Sequence, residues 1–351
     1  MLPRSSLRVA AAAFTGIAGR GSMHNTTALN FDEHPVEFTA NDGQRLAGRW
    51  IKPAGHQVRP LAAVVIVCGA GIPARAYYSL ARYLAGRGAV VLTFDYRGIG
   101  ASRAGSLRKV TGGMDDWALH DIGAALALAS ATYPDLPLSA VAHSVGTLML
   151  GAAPGAERLS RSVFIGAHTG YWRDYHPKWR WPLFLTWHAF MPSVTRLVGF
   201  FPGRALHLGE DLPRQVAYDW AGRRQPGLVR TERDARRFGP NLYRYKEFRA
   251  DTLALSITDD AFAPPQAAER LLEMFPGIVA VRETVKPSDL GCRRLGHFGF
   301  LRRGPGEHFW RRIAGWLLPE TAPLVEAAAL PGRLPQGAPS LNGPLRDRRC
   351  D

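Results

Sequence analysis

Short apolar runs separated by helical patterns dominate the chain after residue 60. The first run, Leu61–Val67, is rich in β-branched residues and is typical of a strand buried on both faces of a parallel sheet. Repeated strand–helix–strand units of this kind predict an α/β fold with a doubly wound, mostly parallel sheet. The further strands are predicted at Ala89–Phe94, Leu138–Ala142 and Arg161–Ile165, and the helices at Arg75–Gly86, Met114–Ala131 and Val145–Ala152.

Two shorter alternating runs precede the first buried strand. Val36–Thr39 and Leu46–Ile51 flank the sequence Asn41-Asp42-Gly43. Asp-Gly between two such runs is a strong signal for a β-hairpin. We therefore expect the ordered part of the chain to begin near His34.

The alternation of strands and helices stops between Thr169 and about Arg249. This stretch contains five of the nine tryptophans, mixed with Pro and Arg, and predicts short helices. We interpret residues 169–249 as an aromatic-rich helical cap inserted between two parts of one core, residues 34–168 and 250–318. The second part is predicted to contain strands at Thr252–Thr258 and Ile278–Thr284 and helices at Pro265–Met274 and Glu307–Leu317.

The two ends of the chain carry no pattern of regular structure. Residues 1–33 contain arginines, no acidic residue before Asp32 and only a short apolar run, which predicts an upstream extension, disorder or a weak targeting peptide, with Met1 or Met23 as the start. Residues 319–351 are rich in Pro, Gly and Ala and predict a disordered tail. No run of 18 apolar residues is present, so we predict no transmembrane segment and expect a cytoplasmic protein.

Charge is the most unusual feature of the composition. The 351 residues carry a formal net charge of +15, and only five of the 44 basic residues are lysine. The arginines are scattered along the chain without a nucleic-acid-binding motif, so we predict a basic surface and no nucleic-acid partner. An adaptor that contacts a membrane surface or another polyanion stays open as an alternative, and its binding should collapse with added salt.

Disulfide, metal and cofactor chemistry find no support in the sequence. Three cysteines are too few for a disulfide scaffold, and the 11 histidines lack the paired spacing of a zinc site. Gly98-Ile-Gly100 is not followed by a third glycine that opens a helix, and a P-loop is absent. We therefore predict no cofactor and no metal.

A serine at a strand-to-helix junction is the sharpest chemical signal. Ser144 lies in Ala142-His143-Ser144-Val145-Gly146, between a predicted strand and a predicted helix. Small residues two positions before and after a serine permit a tight turn that exposes its hydroxyl above the sheet. The first of these positions is alanine here, where glycine is usual. Ser144 is therefore a candidate nucleophile.

A serine nucleophile needs a base, and that base needs a carboxylate that fixes its tautomer. His297 and Asp260 follow Ser144 in the order Ser, acid, His, and both fall on loops at the carboxyl ends of predicted strands. We prefer Asp260 as the acid because of its spacing to Pro264, while Asp259 stays open either as the acid or as a helix cap.

Acyl transfer through a tetrahedral intermediate also requires hydrogen-bond donors for the oxyanion. We assign these donors to the backbone amides of Ala70 and Val145, because glycines beside Ala70 allow close approach to a substrate. Cys68 is an alternative nucleophile by residue type, but the sequence places no base beside it. We interpret it as a small buried thiol at the end of a strand. The residues predicted to bind substrate are Gly69, Gly71, His143, Trp172 and Phe298.

The composition of the cap gives the best indication of substrate. Its many aromatic side chains, from Tyr171 to Phe201, predict a pocket for an apolar acyl group or a lipid, or else a packed contact between cap and core. The later arginines could bind an anionic head group, but a solvated helix face with internal ion pairs is the simpler interpretation. These arginines are Arg223, Arg224, Arg230, Arg233, Arg236 and Arg237.

Several short segments together resemble the α/β-hydrolase superfamily. They are Gly69-Ala-Gly71, Asp95–Ser102, the turn around Ser144, Thr258–Pro265 and Gly296–Phe300. More narrowly, they resemble the lysophospholipase-like, serine-aminopeptidase-like branch of predicted bacterial hydrolases, over roughly residues 34–318. The resemblance implies a structural, non-catalytic role for Asp95 and Arg97. The alanine at position 142 departs from the usual glycine and puts the geometry of the turn in doubt.

The residues and the resemblance lead to one expected function and two alternatives. We expect a serine hydrolase that cleaves a small carboxylester or lipid-like substrate through an acyl-enzyme formed on Ser144. Peptidase or acyltransferase chemistry on the same three side chains is the first alternative. A non-catalytic binding protein of the same fold is the second.

Overall fold

The protein is described here from a computed structural model. The structure describes residues 31–55, 59–224 and 244–319. Nearly all of the predicted tail and of the predicted N-terminal extension lies outside the described residues. The first strand begins at Phe31, three residues before the predicted start of order at His34.

Within the described residues, eight strands form a single sheet in the order β1-β2-β4-β3-β5-β6-β7-β8. The β1–β2 and β2–β4 pairs are antiparallel, and all other neighbours are parallel. The prediction of a mostly parallel α/β sheet is therefore confirmed. The strands are β1 (Phe31–Thr39), β2 (Arg45–Pro53), β3 (Ala62–Val67), β4 (Ala89–Phe94), β5 (Leu138–His143), β6 (Arg161–Ile165), β7 (Asp251–Ile257) and β8 (Ala280–Val285).

The predicted hairpin is formed by β1 and β2. Their register pairs Phe31 with Pro53 and Thr39 with Arg45, so both strands are longer than the alternating runs that predicted them. Gly43 in the connecting turn has φ 85°, a left-handed conformation that costs glycine little. This explains why the Asp-Gly signal located the turn correctly.

The helices fall where the sequence predicts them, with one irregular segment. The predicted helix at Met114–Ala131 consists of a short turn, Met114–Asp116, a π-helical segment, Trp117–Ile122, and a regular helix. The helices are α1 (Tyr78–Ala85), α2 (Gly123–Thr132), α3 (Gly146–Ala152), α4 (Arg180–Leu185), α5 (Met191–Val198), α6 (Arg214–Ala221), α7 (Pro265–Leu272) and α8 (Pro305–Leu317).

Helices cover the central strands of the sheet. Every residue of β3, β4 and β5 is buried, as expected for parallel strands that are packed on both faces. Helices α1 and α8 pack against each other, and α2 packs against β3 and β4. The resulting core holds β5 rigidly in the middle of the sheet, which matters because Ser144 follows this strand directly.

The segment between β6 and β7 contains helices α4, α5 and α6. A π-helical segment, Thr186–Phe190, joins α4 to α5, and an isolated antiparallel bridge pairs Phe201 with Leu212. Residues 225–243, in the later part of the predicted cap, lie outside the described residues. Across the described ranges, no helix has the length and apolar character that crossing a membrane requires.

Asp95 and Arg97 have structural contacts near the carboxyl end of β4. The Asp95 carboxylate accepts hydrogen bonds from the backbone N–H groups of Ala74 (2.7 Å) and Ala101 (2.9 Å). The buried Arg97 guanidinium pairs with Asp121 and Asp42. These contacts hold the loops that follow β3 and β4, in agreement with the structural role that the resemblance implied.

Candidate active site

Ser144 lies on a strained turn between β5 and α3. Its φ is 59°, one of only two positive values among the non-glycine residues that the structure describes. A side chain pays a steric cost in this conformation, and such strain concentrates at functional sites. A Cβ at Gly146 would lie 2.5 Å from the Cys68 carbonyl oxygen, so this position requires glycine. Ala142 is fully buried within β5, and the turn forms with alanine there.

The structure brings together the three side chains that the sequence predicted as a catalytic triad. Ser144 Oγ lies 2.8 Å from His297 Nε2. His297 Nδ1 lies 2.6 Å from Asp260 Oδ2. All three residues are buried, which removes competition from bulk water and strengthens each hydrogen bond. In this arrangement the Ser144 hydroxyl donates to His297, and the His297 Nδ1–H donates to Asp260.

Asp260 is kept ionised by its hydrogen bonds. Burial works to raise its pKa, but the neighbouring His297 and the backbone N–H groups of Ala263 and Phe262 together lower the pKa below its usual value. Those two N–H groups lie 2.9 and 2.8 Å from Oδ1, so the other oxygen, Oδ2, is left for His297. Asp260 therefore offers a fixed negative charge to the imidazole.

The neighbouring Asp259 has a different position. Its carboxylate accepts hydrogen bonds from the backbone N–H groups of Leu295 (3.0 Å) and Gly296 (2.9 Å). These residues directly precede His297, so Asp259 fixes the loop that carries the histidine. The geometry thus favours Asp260 as the partner of His297, with Asp259 in a supporting position.

Ala70 and Val145, whose backbone amides are the predicted oxyanion-hole donors, both lie near Ser144. Ala70 follows β3 and borders the cavity in front of Ser144, while Val145 is the residue after the serine. Neither N–H group donates to a protein acceptor within the three described ranges. Their assignment to an oxyanion hole stays a prediction that this geometry permits.

A cavity in front of Ser144 is bordered by both the core and the cap. Its polar side chains are Ser144, His168 and His297, and the remaining walls are mainly apolar. The core contributes Ala70, Gly71, Ile72, Ser144, His168, Phe262, His297 and Phe298, and the cap contributes Trp187, Met191, Leu208, Leu212 and Trp220.

Two of the five predicted substrate-binding residues border this cavity and three do not. Gly71 and Phe298 are in its wall. Gly69 lies behind the wall, where its N–H donates to the Tyr77 hydroxyl at 2.9 Å. Trp172 packs against Trp181 and Phe184 elsewhere in the cap. The prediction for Gly69 and Trp172 is therefore corrected, because both are engaged in structural contacts outside the cavity.

The prediction of His143 as a substrate-binding residue is also corrected, since His143 lies beneath the site and does not border the cavity. It is fully buried, with Nδ1 2.8 Å from the Tyr77 hydroxyl and Nε2 3.3 Å from the His297 carbonyl oxygen. Burial lowers its pKa well below the usual value, and the nearby His297 and His168 add to the effect. A neutral His143 and Tyr77 therefore connect the loop at Gly69 with the backbone of His297.

Sequence reasoning missed one polar residue of the cavity. His168 follows β6 and places Nε2 2.9 Å from Ser144 Oγ. Its Nδ1 accepts a hydrogen bond from the Gly170 N–H at 3.0 Å. The sequence Gly166-Ala-His-Thr-Gly170 could have indicated this residue, because it places a histidine directly after strand β6. Strand β6 is adjacent to β5, and the carboxyl ends of parallel strands share one sheet edge.

Cys68 and two arginines of the cap have structural surroundings. Cys68 is a free, buried thiol whose pKa is raised by burial and by Asp95, so it is a poor nucleophile. Arg223 donates to the Thr169 carbonyl and Arg224 to the His188 carbonyl. The interpretation as a head-group site or a solvated face is corrected for Arg223, which is buried within the cap, while Arg224 is exposed. Arg230, Arg233, Arg236 and Arg237 lie outside the described residues.

Comparison with known proteins agrees with the fold. Residues 58–200 match the family described as serine aminopeptidase, S33, a range that contains Ser144 but neither Asp260 nor His297. No protein of curated function matches the chain.

Three solved structures share this fold at low sequence identity. An esterase from Pyrococcus furiosus has a TM-score of 0.52 at 18% identity, covering 84% of this chain and 95% of its own. An esterase from Thermogutta terrifontis has 0.51 at 16%, covering 81% and 98%. A hypothetical protein from Pseudomonas aeruginosa has 0.53 at 14%, covering 85% and 99%. The chain therefore shares the fold of these structures, and its residues 58–200 match the serine aminopeptidase, S33, family.

Proposed function

We propose that this protein is a serine hydrolase that cleaves an ester bond through an acyl-enzyme on Ser144. The observation that carries the proposal is the buried chain of hydrogen bonds from Asp260 through His297 to Ser144, which opens onto a cavity. A serine hydroxyl becomes nucleophilic only when a base receives its proton. Here His297 is such a base, and Asp260 is a carboxylate that stabilises its protonated form.

Acylation follows from the direction of these hydrogen bonds. Ser144 Oγ attacks the substrate carbonyl carbon while its proton passes to His297 Nε2. The negative charge that develops on the carbonyl oxygen is stabilised by the N–H groups of Ala70 and Val145. His297 then returns the proton to the leaving alcohol, and the carbon–oxygen bond to that alcohol breaks. The product is an ester of Ser144.

Deacylation repeats these steps with water as the nucleophile. His297 accepts a proton from the water as its oxygen attacks the acyl carbon. The bond to Ser144 Oγ then breaks, and Oγ receives the proton from His297. Asp260 stays ionised throughout and stabilises the positive imidazolium.

The cavity walls favour an apolar acyl group. Trp187, Met191, Leu208 and Leu212 border the cavity from the cap side, and Phe262 and Phe298 border it from the core. Burial of apolar surface stabilises a bound acyl chain by about 0.8 kcal/mol per methylene group. We therefore propose a carboxylester or lipid-like small molecule as the substrate, with lysophospholipase-type specificity as a narrower form of this proposal.

Peptidase activity is the second candidate. The match of residues 58–200 to the serine aminopeptidase family favours it, and the same triad serves amide hydrolysis. The described cavity contains no acidic side chain that would bind the α-amino group of a peptide substrate. This feature favours the ester over the peptide.

A fluorophosphonate probe and a substrate panel test the proposal. The wild type should be labelled and should hydrolyse p-nitrophenyl esters faster than aminoacyl p-nitroanilides. Ser144→Ala removes the nucleophile and should abolish labelling and lower kcat by on the order of 10⁴-fold or more. Cys68→Ala is the matched control and should keep both activities. Equal labelling of the wild type and Ser144→Ala would refute the assignment.

A further inference from the structure

We propose that His168 is a second catalytic histidine, whose Nε2–H donates a hydrogen bond to Ser144 Oγ and promotes departure of this oxygen during deacylation. The inference rests on the proposed function, because it assumes an acyl group on Ser144. The observation behind it is the 2.9 Å distance between His168 Nε2 and Ser144 Oγ, on the oxygen that already contacts His297 at 2.8 Å.

The position of the proton on His168 follows from its partners. Nδ1 faces the N–H of Gly170 at 3.0 Å and must therefore act as an acceptor. A neutral imidazole with an accepting Nδ1 carries its proton on Nε2. Nε2 is thus the donor and Ser144 Oγ the acceptor.

The surroundings of His168 keep it neutral. Burial lowers its pKa, the neighbouring His297 and Arg223 lower it further, and Asp260 only partly opposes them, with a resulting pKa of about 3. His168 therefore keeps a single proton even when His297 becomes positively charged during the reaction. The group that donates to Ser144 is the same in every step.

The directions of its hydrogen bonds exclude His168 as the general base. Its Nε2 already carries a proton and has no lone pair for the proton of Ser144. Its Nδ1 faces an amide, whereas Nδ1 of His297 faces the Asp260 carboxylate. The two histidines on Ser144 therefore have complementary roles: Ser144 donates to His297 and accepts from His168.

The topology places His168 on the opposite side of Ser144 from the predicted oxyanion hole. Ala70 follows β3 and His168 follows β6, and these strands lie on either side of β5. A donor on the β6 side is directed at Ser144 Oγ and not at the carbonyl oxygen beside Ala70. His168 therefore acts on the serine oxygen itself.

Charge changes at Ser144 Oγ explain why deacylation gains most from this donor. In the acyl-enzyme, Oγ is an ester oxygen and accepts a hydrogen bond weakly. When the intermediate formed with water collapses, the electrons of the carbon–Oγ bond move to Oγ, and His297 transfers its proton there. A hydrogen bond that strengthens as this charge develops lowers the barrier. The free serine already accepts the same bond, so acylation gains less.

Other buried histidines show what a purely structural contact looks like. His188 Nδ1 donates to the carbonyl oxygen of Ala221 at 2.7 Å, within the cap. His143 Nε2 donates to the carbonyl oxygen of His297. Neither forms a hydrogen bond to Ser144, whereas His168 binds the hydroxyl of this candidate nucleophile and borders the cavity.

Stopped-flow hydrolysis of p-nitrophenyl butyrate tests the inference, because the burst reports acylation and the steady state reports deacylation. His168→Ala should lower the steady-state rate at least about tenfold and change the burst rate much less. His168→Gln, which retains a side-chain N–H donor, should recover part of the lost rate. His188→Ala is the matched control, a buried histidine away from the cavity, and should keep both phases.

The pH profile tests whether His168 is neutral in the working enzyme. Because the pKa of His168 is about 3, its replacement by glutamine should leave the acid limb of the deacylation profile in place above pH 5. A shift of that limb in His168→Gln would contradict the assignment of His168 as a neutral donor. If His168→Ala fails to fold, His168→Met takes its place, since it fills the space without an N–H group.

The outcomes separate this inference from the proposed function. A wild type without labelling or burst would refute both. A wild type with a burst, together with His168→Ala kinetics equal to those of His188→Ala, would refute the role of His168 alone. Equal losses in burst and steady state would refute the selective effect on deacylation. If His168→Gln recovers none of the lost steady-state rate, the role of His168 as a hydrogen-bond donor is refuted.

Discussion

The two halves of the cavity are built in different ways. The core half carries the polar groups, on segments that follow parallel strands: Ser144 after β5, His168 after β6 and His297 after β8. The cap half supplies apolar walls from short helices and connecting segments, including Trp187, Met191 and Trp220. The core half places Ser144, His297 and Asp260 at the hydrogen-bond distances that proton transfer requires. The cap half is expected to determine which acyl groups fit.

This comparison predicts that changes in the core half reduce the rate for every substrate. Asp260→Asn removes the charge that stabilises protonated His297 and should lower kcat by about 10³- to 10⁴-fold. Asp259→Asn, the matched control, leaves the His297–Asp260 contact in place and should cost about tenfold or less. Steady-state kinetics on two esters of different acyl length would measure both variants. Equal losses would contradict the assignment of Asp260.

Changes in the cap half should alter selectivity instead. Trp220→Ala enlarges the cavity and should change the ratio of kcat/KM for long and short acyl esters by about tenfold, with labelling of Ser144 retained. Trp172→Ala should not change this ratio, because Trp172 packs in the cap away from the cavity. The comparison fails if Trp220→Ala lowers kcat/KM equally for all chain lengths.

The smallest expected effect is on stability. Because the folded protein holds the pKa of His168 near 3, below the ordinary value of 6.5, the unfolded chain binds more protons in acid. The free energy of unfolding should therefore fall as the pH decreases from about 6.5, by up to about 1.4 kcal/mol per pH unit for this group. Denaturant titrations should show a shallower decline in His168→Gln. An identical slope would show that His168 is not neutral in the folded state.

Hydrophobic patterning was enough to predict the fold. Strands such as Leu138–His143 and Arg161–Ile165 read as short apolar runs because both faces of the sheet are covered. Turn chemistry located the hairpin at Gly43 and the strained turn at Ser144. The acid and the histidine were then predicted from their place on loops after strands and from the order Ser, acid, His.

The contacts between distant residues required the tertiary structure. Asp259 and Asp260 are adjacent in sequence, and only the fold shows that Asp260 meets His297 while Asp259 holds the loop before it. His143 looked like a pocket residue because it precedes Ser144, but its strand position turns it into the core.

The sequence alone determined the α/β core, the succession of strands and helices along the chain, and three candidate side chains. It could do so because burial and turn geometry leave local patterns in the chain. The tertiary structure decided which groups meet at Ser144, including His168, whose place after a predicted strand did not by itself identify Ser144 as its partner. Proximity at the sheet edge depends on which strands are neighbours, and strand order is a property of the whole fold.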